Sequence, residues 1–321
     1  MVRYKWYVLK RFASLAAIFT FCFTVNINTV DATTGSLAFL SIVPAARPAS
    51  MGGAFTAISD DINTIFMNPA GLGNLQSKVE LLGTYNSWFE GITYMCIAGC
   101  YSIESLATTV GVSGIFLNYG DLLQTEEVGG NIKDTGKKFQ PQDLVINVAA
   151  GREIVSAKLY VGVAGKILSE SIGPVSSSGF GLDAGVLYKA VENANIGFAV
   201  QNLGVSAKFE DKTFSAPLSL RVGGMYKWKF TEKAALVLAG DVALYGKDTG
   251  IYLGSELSYP ISEDFLLRLR GGYQVGKILS NFSIGGGMIY KSEATDILID
   301  IGYVPVKELG DTLRIGVGVR M

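Results

Sequence analysis

Arg221, Asp241, Glu256, Arg268, Arg270, Asp300 and Arg314 fall at alternate positions in runs that are otherwise apolar or glycine-rich. On a β-strand, where successive side chains point to opposite faces, that spacing puts all seven on one face. Charges gathered there can brace one another as ion pairs, because a buried charge is costly unless paired. The arginines, Arg268 and Arg270 first, can instead meet an anionic headgroup, and both readings stand. Catalytic chemistry is narrower. The chain has no histidine, so it holds no Ser-His-Asp triad, no histidine zinc ligand and no histidine general base. Paired carboxylates are the acid-base chemistry left, and no spacing singles out a pair. The expectation is a non-enzymatic chain without metal or cofactor.

The elements that carry these charges follow from composition. Of 321 residues, 49% are apolar and only 17% charged, with 39 glycines and 15 tyrosines spread through the length. About 25% charged is usual for soluble domains, so this mixture suits a lipid-exposed β-structure. Residues 1–32 are expected to be a cleaved signal peptide: Arg3, Lys5, Lys10 and Arg11 are basic, Phe12 to Val25 are apolar, and Val30-Asp31-Ala32 offers a small-residue cleavage site. The apolar run falls short of the ~20 residues of a membrane anchor. Removing this stretch takes four basic and one acidic residue from 27 and 28, leaving 23 against 27 and a net charge of −4. Cys96 and Cys100 remain. Four positions apart on a strand they are about 13 Å distant, beyond disulfide reach, and free thiols are expected.

From Val79 onward, segments of 10 to 12 residues alternate apolar with small or polar side chains. In the last of them Leu313, Ile315, Val317, Val319 and Met321 alternate with Thr312, Arg314, Gly316, Gly318 and Arg320. Fourteen such segments can be marked, the even number expected of a bacterial outer-membrane barrel. With both chain ends in the periplasm, the joints after even strands are brief. The opposite set holds the longest connections, 120–141, 169–177 and 204–215. Tyr85, Trp88, Tyr101, Tyr119, Tyr188, Trp228, Tyr259, Tyr273, Tyr290 and Tyr303 gather near strand ends, where an interfacial girdle would place them. The expected organisation is 33–77 as an N-terminal hatch and 78–321 as a transmembrane barrel.

A fourteen-stranded barrel is too wide to be filled by its own side chains, so its interior must be plugged or used. Residues 33–77 are rich in small residues. Gly52 and Gly53 permit close backbone approach, while Ile62, Ile65 and Phe66 are spaced for a short helical turn. Pro69 biases Asn68 away from the α region and ends that turn. A bend is expected over Asn68-Pro69-Ala70-Gly71.

These stretches also carry a resemblance. Pro44-Ala45-Ala46-Arg47, Met51-Gly52-Gly53-Ala54-Phe55 and Asn68-Pro69-Ala70-Gly71-Leu72 resemble the start of the FadL and PorV superfamily of outer-membrane proteins. Val200-Gln201-Asn202-Leu203-Gly204, Pro217-Leu218-Ser219-Leu220-Arg221-Val222-Gly223 and Arg270-Gly271-Gly272-Tyr273 fit as well, with the PorV-like branch most similar. The resemblance implies a fourteen-stranded all-β membrane barrel whose helical hatch plugs the lumen. It further implies a hatch that shifts at Asn68, Pro69 and Ala70, so that a hydrophobic substrate leaves sideways beside an irregular third strand. Gly114 is the candidate for that irregularity, since an interior glycine often marks a bulge; an ordinary wall glycine is the other reading.

The function so implied is uptake of long-chain fatty acids or other hydrophobic small molecules. The alternative is a PorV-like role in protein secretion or surface attachment, and a polar-solute channel is a third. The partners implied are a hydrophobic or lipid substrate, outer-membrane lipid and the barrel-assembly machinery, with no nucleic acid. The chain departs from the family pattern in its polar 120–141 stretch, and in Met321, which stands where an aromatic residue is usual.

Overall fold

The computed structural model describes residues 37–321 apart from 210–211, 217, 232–233, 246–247, 276–280 and 307–309. The expected signal peptide, 1–32, lies outside the described residues. Eighteen strands follow a short N-terminal segment: β1 (Val79–Ser87), β2 (Thr93–Ile103), β3 (Thr108–Asn118), β4 (Leu122–Val128), β5 (Asn131–Phe139), β6 (Gln142–Val155), β7 (Leu159–Ile172), β8 (Val175–Val191), β9 (Ala194–Leu203), β10 (Ser206–Phe209), β11 (Lys212–Ser215), β12 (Ser219–Lys229), β13 (Ala235–Tyr245), β14 (Asp248–Pro260), β15 (Phe265–Val275), β16 (Phe282–Lys291), β17 (Asp296–Val306) and β18 (Gly310–Arg320). Fourteen of them form one closed antiparallel barrel, with β1 pairing β18 from Glu80↔Arg320 to Ser87↔Leu313. Closure leaves no strand edge exposed to lipid.

Side-chain alternation decides which face is which. In β18, Leu313, Ile315 and Val317 are exposed while Thr312 and Arg314 are buried. In β7, Val163 and Ile167 project outward, with Tyr160, Ala164 and Lys166 inside. Outward-facing Tyr85, Tyr101, Tyr188, Trp228, Tyr259 and Tyr273 are exposed near strand ends, the position of an interfacial girdle.

The end of the barrel that carries both Val79 and Met321 has short joints throughout, which marks it as the periplasmic end. At the other end three connections differ from the sequence expectation. Residues 120–141 and 204–215 are not plain loops but two-stranded hairpins, β4–β5 and β10–β11, outside the barrel. The expected 169–177 loop is absent. β7 and β8 pair through Ile172↔Val175, because serines at 169, 171, 176, 177 and 178 keep the strand alternation and Gly173 supplies the positive φ of the turn.

The ladder through Gly114 corrects a second expectation. β3 runs in unbroken register against β2 and β6, so no bulge occurs at Gly114. A methyl built there would meet Ile97 Cγ1 at 3.4 Å, an ordinary contact. The wall irregularities lie at Glu153/Val155 and at Leu182/Ala184 and Lys189/Val191.

Candidate functional site: a charged frame around the N-terminal segment

Residues 37–77 occupy the barrel interior as two short helices, α1 (Ala46–Ser50) and α2 (Thr64–Met67), with 3-10 turns at Ala38–Ser41 and Pro69–Asn74. Neither helix is long enough to be stable alone; packing holds them. Asn68 is extended (φ −155, ψ 103), as Pro69 requires, and ends α2. Its side chain accepts from the Ala70 amide at 3.1 Å and donates to the carbonyls of Thr56 (2.8 Å) and Val186 (3.2 Å). The bend is therefore fastened to itself, to the rest of the segment and to the wall.

Wall glycines accept the segment's backbone. At Gly162 a methyl would collide with the backbone of Pro69 and Ala70. Gly52 answers from the segment side: it has φ +66, and a methyl there would lie 2.8 Å from the Tyr273 amide nitrogen and 2.9 Å from the Leu253 carbonyl. Only glycine meets both demands. Around these contacts lie apolar clusters, of which two are the largest. One joins Ile62, Ile65 and Leu72 to Leu82, Cys96, Ala98 and Cys100. The other, in the extracellular half, joins Leu37 and Phe39 to Tyr94, Leu117, Val145 and Leu168. Cys96 and Cys100 are free and buried under the segment.

All seven charges singled out by spacing are buried, and the structure sorts them into three groups. Arg221 and Asp241 form a pair at 2.9 Å and grip residues 53–56. Arg221 donates to the Gly53 carbonyl (2.6 Å) and the Thr56 hydroxyl (3.1 Å), while Asp241 accepts from the Phe55 and Thr56 amides at 3.0 Å each. Glu256, Arg268, Arg270 and Asp300 form the second group. Arg270 joins Glu256 at 2.7 Å to Asp300 at 2.6 Å. Arg314 stands apart. It donates to the Thr312 hydroxyl at 2.8 Å, and no carboxylate pairs with it among the described residues.

The centre of the second group is a residue that spacing could not reveal. Arg47, on α1 and 1% exposed, donates to both Glu256 oxygens at 2.8 Å, to Asp60 at 2.7 and 3.1 Å and to Asp61 at 2.6 Å. A guanidinium fork matches carboxylates in this way, and charge-assisted bonds are the stronger kind. Burial opposes the charge on Arg47, but Asp60, Glu256 and Asp61 outweigh it and hold the guanidinium protonated. The signal was a lone arginine among small residues, followed by adjacent aspartates, in a segment otherwise read for its glycines. A smaller set was missed too: Lys166 of β7 pairs with Asp183 of β8 at 2.8 Å and donates to Asn202 at 2.8 Å, beside the β8–β9 irregularity. Among the described residues no group of cysteine, aspartate and glutamate is arranged to hold a metal ion.

A frame of this kind fixes residues 47–61 against the inner face of the wall. No protein-family model matches the sequence, and no curated relative does. Solved structures do match in shape. The Ralstonia pickettii toluene transporter TbuX is 13% identical with a TM-score of 0.62, covering 86% of this chain and 97% of its own. The monoaromatic hydrocarbon channel CymD is 14% identical with a TM-score of 0.61, covering 89% and 98%. A Pseudomonas aeruginosa FadL homologue is 10% identical with a TM-score of 0.53, covering 92% and 99%.

The chain has the FadL-type barrel fold.

Fourteen antiparallel strands and their closure agree with that fold. In this FadL-type barrel the Asn68-Pro69-Ala70 bend packs against β7 and β8, on the inner face of the wall.

Proposed function

We propose that the protein carries hydrophobic small molecules, long-chain fatty acids or compounds of similar character, inward across the outer membrane, with residues 37–77 as the gate. The observation that carries this reading is a wall one backbone thick between two apolar surfaces. Leu82 and Ala98 belong to the inner apolar cluster and also border a groove of about 580 Å³ on the lipid-facing side, formed where Gly83, Gly99 and Gly114 expose the backbone. An apolar solute held under the segment is separated from lipid there by the ladder alone. The hydrocarbon cargo of TbuX and CymD supports the same class of solute. The barrel-assembly machinery is the partner proposed for insertion, reading Gly316, Val319 and Met321 on the final strand.

The test is mass spectrometry of lipids that copurify with the detergent-solubilised protein, beside an Asn68→Ala/Pro69→Ala variant and with oleate and toluene uptake into proteoliposomes. Enrichment of fatty acids or hydrocarbons, altered in the variant, is expected. A folded barrel that neither retains nor passes an apolar compound overturns the proposal. A stoichiometric protein partner in place of lipid would move the assignment to the secretion or surface-attachment alternative.

A further inference from the structure

The segment leaves a large space in the barrel, and its chemistry is opposite to that of the hydrophobic route. A chamber of about 950 Å³ opens at the periplasmic end between Ser59, Asp60, Asn74 and Gln76–Lys78 on one side and the wall of β8 and β12–β18 on the other. Seven of its described lining residues are lysine or arginine and four are aspartate or glutamate. The cations are not scattered. Lys78, Lys189, Lys227, Lys229, Lys291 and Arg320 lie toward the periplasmic ends of their strands and form a collar, with Lys227 one inward step above Lys229 on β12 and Lys78 over the Tyr101 ring at 6.0 Å. Most of the acids are already engaged: Asp296 by Arg320 at 2.5 Å, Glu256 by Arg47 and Arg270, and Asp60 by Arg47. Glu293 is the fourth. Of the collar, Lys229 reaches Glu192 at 3.1 Å, outside the chamber.

At the inner end lies Arg268, its side chain 9% exposed. Its nearest carboxylate oxygens, on Glu256 and Asp60, are 3.7 and 3.9 Å away, too far for hydrogen bonds. Its Nε and Nη1 have no partner. A guanidinium that is nine-tenths buried and makes no hydrogen bond, behind a collar of cations, is an anion-binding arrangement.

We propose that this chamber binds a small organic polyanion bearing carboxylate or phosphate groups from the periplasmic side. The collar draws the anion in as point charges, and Arg268, whose Nε and Nη1 are buried without partners, meets one of its oxyanion groups with the guanidinium edge that faces the chamber. Asp60 and Glu256 share that end of the chamber, which disfavours any anion lacking enough charge to engage the lysines as well. This site is separate from the hydrophobic route and does not depend on it.

Isothermal titration of the whole detergent-solubilised protein with citrate and with pyrophosphate, at low and at physiological ionic strength, tests the proposal, with acetate as the monoanion control. Saturable binding of one polyanion, weakened by salt, is expected, and the better ligand of the two distinguishes the carboxylate from the phosphate source. Arg268→Gln should weaken it roughly 10- to 100-fold, the loss of a charge-assisted hydrogen bond. Lys227→Gln/Lys291→Gln, which alters no side-chain hydrogen bond to residues 37–77, should weaken it and flatten its salt dependence while hydrophobic uptake persists. Absence of binding by both polyanions at low salt overturns the proposal, as does undiminished affinity in the folded lysine variant. Binding of acetate as tight as that of citrate would also overturn it.

Discussion

Arg47→Met is the sharpest test of what holds the segment in the barrel. The substitution keeps length and apolar volume but removes five hydrogen bonds of 2.6 to 3.1 Å to Glu256, Asp60 and Asp61. Breaking a buried ion pair from one side costs about 3–5 kcal/mol, because the other charge stays behind. Arg270 still holds Glu256 at 2.7 Å, so the lower figure applies, and ~3 kcal/mol is about two decades in an equilibrium. The loss falls on segment docking; the fourteen ladders of the wall are untouched. Cys96 and Cys100 provide the assay, since they are 1% and 6% exposed and pack under Ile62, Ile65 and Leu72. Maleimide labelling of these cysteines, located by peptide mass, should accelerate by up to about two decades in the variant if labelling follows segment opening. Adding Asp61→Asn removes the carboxylate that loses its ion-pair partner, and should slow labelling again by about ten-fold, within the usual coupling of neighbouring sites. Equal labelling rates in wild type and Arg47→Met would refute the network as the device that docks the segment.

Asp60 makes a pH prediction. Partial desolvation raises the carboxyl of this side chain, which is 46% exposed, but the charges of Arg47 and then Arg268 outweigh that and hold it at about 2, below the ordinary 3.8. A depressed carboxyl contributes docking stability that is complete above the ordinary value and lost as the pH falls through the lowered one. The difference in bilayer conductance between wild type and Asp60→Asn should therefore stay constant from neutral pH to about pH 5 and vanish toward pH 2; a difference that persists at pH 2 counts against the ion pair. Two glycine substitutions should behave oppositely. Gly162→Ala forces a methyl into the Pro69 backbone and should cost about 1–3 kcal/mol, whereas Gly114→Ala meets only ordinary contact and should stay within about 0.5 kcal/mol, both read by heat-dependent gel mobility. Asn68→Ala frees the Ala70 amide and two carbonyls, and should raise cysteine labelling as Arg47→Met does; unchanged labelling would show that the bend is held by packing alone.

Period-two alternation made the barrel legible without a structure. A strand face that meets lipid must be apolar over its whole length, so β18 could be read residue by residue, and the inward positions of Arg221, Asp241, Glu256, Arg268, Arg270, Asp300 and Arg314 followed by parity. The extended Asn68 was legible for a local reason, since Pro69 excludes the helical conformation before it. What parity cannot give is the partner across the lumen. Arg47 sits 209 residues from Glu256, and its role exists only because closure of the barrel brings β14 over α1. The same holds for Lys166 and Asp183, for the two extracellular hairpins whose polar sequences read as loops, and for Gly114, where the glycine is real but the bulge is not. Local sequence determined the strands, their faces and the bend. Tertiary structure decided which charges meet, which glycines receive backbone, and where the chamber with Arg268 at its inner end was left, because each depends on distances that only the closed ring of strands sets.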